Sequence, residues 1–141
     1  MIEDILNTQQ LFTYTFKITN SVTSVNLPYV LQESKKLKIK YLKFTTASAN
    51  NEIMLIKING FNENVYYDGS KIIKCAKSLP LPSSTNTLFV YDNQAYNGYD
   101  VSVKSRENTS INSLYIEILI DNVYKDISVG NPLWVELEIS G

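Results

Sequence analysis

A two-residue rhythm near the C-terminal end limits this chain's fold more than any other feature. Leu114, Ile116, Ile118 and Ile120 alternate with Tyr115, Glu117, Leu119 and Asp121, and Leu133, Val135, Leu137 and Ile139 alternate with Trp134, Glu136 and Glu138. Successive side chains of an extended strand point to opposite faces, so each run makes a strand with one buried face, whereas a helix would scatter the same residues around its axis. Phe12, Tyr14, Phe16 and Ile18, alternating with Thr13, Thr15 and Lys17, predict a first strand of the same kind.

Between these runs the pattern stays extended. Leu37, Ile39 and Tyr41 share one phase and Leu42 and Phe44 the other, a one-residue jump that a β-bulge or a strand crossing between sheets produces. Ile53 to Ile58, broken only by Lys57, predicts a strand buried on both faces that stops at the Asn59-Gly60 turn. Tyr67-Asp68-Gly69 supplies another turn, and Ile72-Ile73, Leu88 to Tyr91 and Val101 with Val103 supply short strands. Tyr96-Asn97-Gly98-Tyr99 reads as a turn, Lys104 to Asn112 as a polar loop, and Asn131-Pro132 as the loop feeding the last strand. Proline shapes two further expectations. Thr19 to Asn26 reads as a connection, with a short strand after Pro28 near Tyr29 to Leu31, and Leu79 to Ser84 as a polyproline-like link outside any ladder. Only Ile2 to Leu11 offers a helical face.

About eight or nine short strands separated by turns, without alternating helices, predict an all-β antiparallel sandwich or barrel. A single jelly roll of about eight strands fits the 141 residues best. An immunoglobulin-like β-sandwich is the alternative, without the Cys and Trp framework often found there. The expected division is an N-terminal arm over residues 1–10 and a jelly-roll domain over residues 11–141.

Composition narrows function by exclusion. The chain has no histidine and one cysteine, Cys75, which removes Ser-His-Asp and Cys-His nucleophiles, His-ligated zinc and internal disulfides. We expect no enzyme and no cofactor. The 13 Lys and Arg against 14 Asp and Glu leave a net charge of −1, far from the basic excess that holds a phosphate backbone, so nucleic acid is not an expected partner. Acidic Glu3 and Asp4 stand where a leader carries positive charge, and no run approaches the roughly 20 apolar residues of a membrane span.

Each residue group that could carry chemistry has a plainer role beside it. Glu136 and Glu138 share one strand face; a catalytic carboxylate pair is one reading, and charge guarding a sheet edge the stronger one. Asp92, Asp100, Asp121 and Asp126 lie at turns without calcium-loop spacing, which favours turn chemistry over metal binding. Cys75 reads as a small buried hydrophobe, and Lys36, Lys38 and Lys40 as the wet face of a strand. The sequon Asn108-Thr109-Ser110 has meaning only in a secretory compartment. Tyr66, Tyr67, Tyr91, Tyr96 and Tyr99 cluster near loops, where rings stack on sugars or fill subunit contacts. Tyr91, Tyr96, Tyr99 and Trp134 are the candidate interface or ligand contacts; no catalytic, cofactor or metal residues are expected.

The run Ser113 to Asn122, then Lys125-Asp126-Ile127-Ser128, then Asn131 to Ile139, resembles the closing strands of single-jelly-roll capsid proteins. These are the penton or minor capsid components of virophages, polinton-like viruses and large eukaryotic DNA viruses. Lys38 to Phe44 and Leu55 to Asn62 are similar to the middle of such proteins. The resemblance implies a structural vertex subunit of a virion, assembled in the host cell, closing into a homopentamer and meeting a major capsid protein. The alternative from the residues alone is a carbohydrate-binding β-sandwich.

Overall fold

The computed structural model describes residues 11–31, 36–46, 52–82, 86–92, 103–104 and 111–140. Eleven strands run through them: β1 (Leu11–Ile18), β2 (Val22–Leu31), β3 (Lys36–Thr45), β4 (Ile53–Ile58), β5 (Asn64–Tyr67), β6 (Ile72–Cys75), β7 (Lys77–Pro80), β8 (Leu88–Asp92), β9 (Val103–Lys104), β10 (Ile111–Ile120) and β11 (Leu133–Ser140). All their pairings are antiparallel.

Strand order defines the architecture. One sheet reads β1-β11-β3-β8, with β9 also on β3; the other reads β2-β10-β4-β7, and β5 pairs only with β6. Counted without the β5–β6 excursion and the two-residue β9, the eight strands form orders 1-8-3-6 and 2-7-4-5. First then neighbours eighth, second seventh, third sixth and fourth fifth: a four-tiered antiparallel hairpin wrapped into two facing sheets. That arrangement is a jelly roll.

The period-two residues meet between the sheets. Leu37, Leu42, Phe44, Leu133, Val135, Leu137 and Ile139 come from one sheet, and Met54, Ile56, Ile58, Leu114, Ile116, Ile118 and Ile120 from the other. Each is almost fully buried, worth about 1.5–3 kcal/mol relative to exposure. Phe12, Tyr14 and Phe16 face inward in register with Ile139, Leu137 and Val135, but lie on an edge strand and are half-buried. The phase jump in β3 is a bulge: Glu136 pairs with Tyr41 and Leu137 with Ile39, leaving Lys40 as the extra residue. β4 is buried on both sides, with Met54, Ile56 and Ile58 inward and Leu55 fully buried on the opposite face.

Two connections expected from proline are strands. Of the stretch read as a link, Thr19 to Asn26, the part from Val22 onward belongs to β2, which pairs there with β10 and carries Pro28. Between Asn26 and Leu31, β2 has three more residues than β10 has between Ile111 and Ser113, so Pro28 falls in an irregular stretch of an edge strand, where no ladder donor is required. Leu79 and Pro80, assigned to a link outside any ladder, end β7, which pairs with β4 through Ile53↔Pro80 and Met54↔Leu79. β7 is also an edge, and Pro80 is its last residue. Lys104, Ile111 and Asn112, expected in a loop, lie in β9 and β10. Leu11 begins β1, and residues 1–10, including the rest of the expected helical face and the arm, lie outside the described residues.

The turns predicted at Asn59-Gly60 and Tyr67-Asp68-Gly69 form as expected, and the one predicted at Tyr96 to Tyr99 lies outside the described residues. Gly60 and Gly69 adopt φ of 86° and 97°, the left-handed region that favours glycine. At the β5–β6 turn, Asp68 Oδ1 accepts hydrogen bonds from the Ser70 and Lys71 backbone N–H groups, both at 2.8 Å, and from the Ser70 hydroxyl. The backbone donors, Lys71 first, hold the Asp68 carboxyl below its ordinary 3.8.

Leu137→Ala, which empties a fully buried site, is expected to destabilise the fold by about 2–5 kcal/mol in denaturant titration. Lys43→Ala on the wet face should change it by no more than about 0.5 kcal/mol. Because the folded pKa of Asp68 is depressed, its contribution is present above 3.8 and lost as pH falls through the lower folded value. Amide exchange at Ser70 and Lys71 is therefore expected to speed up over that acid range in wild type and to be fast throughout in Asp68→Ala.

Candidate functional site

The connections β1–β2, β3–β4, β7–β8 and β10–β11 emerge at one end of the sandwich, because Ile18 lies in register with Leu133 and hydrogen bonds join the other three. Asn86 N–H donates to the Thr46 carbonyl at 2.7 Å, Leu81 N–H to Glu52 at 2.9 Å and Asp121 N–H to Ile53 at 2.9 Å. Side chains add to this. The ammonium of Lys125 lies 2.6 Å from Oε1 of buried Glu52, tying the β10–β11 loop to the approach to β4. The Asn131 amide donates to the carbonyls of Thr45 and Asp126, each at 3.0 Å.

The β10–β11 loop starts as a two-residue turn. Asp121 and Asn122 have φ of 54° and 62°, and Ile120 and Val123 exchange backbone hydrogen bonds, the pattern of a type I′ hairpin turn. Asx side chains tolerate that conformation, which is the role observed for Asp121. Asp126 is also left-handed, at 72°. The Tyr124 hydroxyl donates to Glu117, an interaction that pushes the phenol's pKa up. The hydrogen bond to Glu52 likewise raises that of Lys125.

This braced end carries much of the exposed apolar surface. Val129 is 79% exposed, and Leu88, Val123, Tyr124 and Trp134 are also open to solvent. A second group, Val65, Tyr67 and Ile72, lies on one face of the β5–β6 hairpin: Val65 and Tyr67 are two apart on β5, and Ile72 is opposite Tyr67.

Of the four contact residues expected from sequence, Tyr91 and Trp134 are among the described residues. Tyr91 is 6% exposed within the core, with the Lys77 ammonium 4.9 Å from its ring centre. Trp134 is on the outer face of the β1-β11-β3-β8 sheet, with the Lys17 ammonium 5.5 Å from its ring centre. Tyr96 and Tyr99 lie outside the described residues, as do Asp100 and the sequon.

Glu136 and Glu138 face outward on β11 beside Thr15 and Thr13 of β1, and Lys40 lies 3.2 Å from Glu138. Lys57 and Lys77 lie close enough to Cys75 to favour its thiolate slightly, but burial outweighs them and pushes the thiol's pKa up. Among the described residues no group of three or more Asp, Glu or Cys side chains is arranged to hold a metal ion, and no helix is long and apolar enough to cross a membrane. Sequence reasoning missed Glu52, Lys125 and the bracing role of Asn131. Asn131-Pro132 marked a loop, but nothing local pairs residues 52 and 125.

No family model matches the sequence, and neither does any curated protein. Four chains of solved structures match. Two are from infectious bursal disease virus: one in the crystal structure of the T13 viral particle, at 14% identity and TM-score 0.47, and one in a structure of the Gt strain, at 14% identity and TM-score 0.39. Each match covers 94% of this chain and 31% of the other, so this chain spans about a third of the length of those it matches. The jelly-roll assignment stands on strand order.

Glu52→Gln keeps the side chain's shape but removes the charge facing Lys125. It is expected to lower stability by about 1–2 kcal/mol, between the values for exposed and buried pairs. Amide exchange at Ile53, Asp121 and Lys125 should rise with it while exchange in β1 stays unchanged.

Proposed function

We propose that this chain is a structural capsid subunit that works by holding shape and meeting neighbouring subunits. The observation that carries the reading is the braced end of the jelly roll: several large apolar side chains stand in solvent on a frame fixed by Glu52–Lys125 and Asn131. Exposed apolar surface on a preorganised frame suits protein contact, because little ordering entropy is spent on association. The resemblance of Ser113–Asn122 and Asn131–Ile139 to the closing strands of single-jelly-roll capsid proteins supports the same reading. In its finer form the chain is a penton of an icosahedral DNA virus or virophage, a homopentamer closed by heterologous contacts and seated among major capsid proteins in the virion.

The carbohydrate-binding alternative draws less support. Lys17 lies over the Trp134 ring and Tyr91 is buried in the core, so these two aromatics do not form an open platform for a sugar.

Leu88→Asp with Val129→Asp places charge on exposed positions of the braced end and is expected to leave the melting temperature within a few degrees of wild type. Native mass spectrometry should find ring oligomers of wild type and a shift to monomer in the variant. A wild type that is monomeric at high concentration and missing from purified particles would overturn the reading.

A further inference from the structure

The two outer faces of the sandwich carry unlike surfaces at the braced end. On the β1-β11-β3-β8 sheet, Lys17, Trp134, Lys43 and Val90 stand side by side across the four strands, each directly opposite the next in register, and buried Leu133 and Val135 fix Trp134 outward. All four are exposed, and exposed Leu88, opposite Thr45, extends the apolar part of the row. Among the described residues, the nearest carboxylates of this face, Glu136 and Asp92, lie one row further from the end. The row is basic and aromatic.

The opposite face is acidic at the same end. Glu117 points outward from β10 between buried Ile116 and Ile118, and Tyr124 folds back from the β10–β11 loop to donate its hydroxyl to it. That hydrogen bond lays the start of the loop, with exposed Asp121 and Val123, against the outer side of the β2-β10-β4-β7 sheet. Asp126 follows in the same loop. Lys57 stands opposite Glu117, and Lys125 is matched by Glu52, so carboxylates prevail in the described charge here.

Unlike charge on opposite faces suits a head-to-tail contact. A face that meets its own copy about a two-fold axis opposes like charges. The basic row of one copy against the loop of the next instead opposes Lys17 and Lys43 to Asp121 and Glu117, and sets Trp134 against Val123 and Tyr124. Trp and Tyr are the side chains that most often anchor protein contacts.

We propose that the row of Lys17, Trp134, Lys43 and Val90 docks the β10–β11 loop of a second copy of this chain, at Asp121, Val123 and Tyr124. The inference rests on the capsid-subunit reading and deepens it by naming the two surfaces that meet. The exposed charges steer encounter and fix register, while the aromatic and apolar groups between them carry the affinity. Association is therefore weakened by salt, as the Debye length falls from about 10 Å at 0.1 M to about 3 Å at 1 M.

Trp134 is the chain's single tryptophan, so its fluorescence reports on this row alone. In dilute solution acrylamide should quench it readily. As wild-type concentration rises toward about 1 mM, mass by sedimentation should grow and quenching should fall with it, both effects receding at high salt. Two variants each remove one side. Lys17→Glu with Lys43→Glu reverses the row; Asp121→Asn with Val123→Lys replaces the loop's negative charge with positive, and asparagine keeps the left-handed turn. All four sites are exposed, so melting temperatures should stay within a few degrees of wild type. Each variant alone should associate about a hundredfold more weakly than wild type. An equimolar mixture should form hetero-oligomers, because each variant supplies the surface the other lacks.

Association that survives in either variant, a mixture that stays dissociated, a Trp134 shielded from quencher in dilute solution, or mass growth that leaves its quenching unchanged would each overturn the pairing while the capsid reading stands. A wild type monomeric at about 1 mM overturns the pairing too. The capsid reading falls with it only if the protein is also missing from purified particles.

Discussion

The contact between the two inner sheet faces is the interaction on which everything else rests. Leu137, fully buried, pairs with Tyr14 on one side and Ile39 on the other and faces the isoleucines of β10 and β4 across the sandwich interior. A strand can supply such a layer only if every second residue is apolar, so the sheet order and the two-residue rhythm are one constraint seen at two scales. The bulge at Lys40 is where β3 meets that constraint: one extra residue lets Ile39 and Leu42 both point inward, three positions apart.

With the interior fixed, the loops become places to attach function. The β10–β11 loop is not a loose tether: an ion pair, an asparagine bonded to two carbonyls and a two-residue turn hold it, and exposed apolar side chains sit on that frame. The division is physical: charge and hydrogen bonds spent inward on bracing leave apolar groups as the outward-facing surface.

How much of this could be read from the residues depended on range. β1, β4, β8, β10 and β11 were legible because their alternation is local, and the jump between Tyr41 and Leu42 located the bulge to within a residue or two. β2 and β7 were not, because Pro28 and Pro80 argue against a ladder unless the strand is known to be an edge, and edge position is a property of the whole sheet. Glu52 and Lys125 are 73 residues apart, and no pattern in either neighbourhood names the other. The tyrosines were ambiguous in the same way. The ring of Tyr91 packs in the core and that of Tyr67 stands in solvent, although both occur in turn-flanking segments of similar composition.

The nested pairing of first strand with last also fixes an order of events. Among the described residues β1 pairs with β11 alone, whose residues lie more than a hundred positions away, while β4 meets β7 after a short excursion closed by its own hairpin. Loop-closure entropy makes the distant pairing the slower one. During synthesis Phe12, Tyr14 and Phe16 leave the ribosome long before Leu133 to Ile139 exist to cover them. Of the described strands, the one made first is thus paired late in its sheet, and until β11 has been translated β1 lacks the strand with which it is in register.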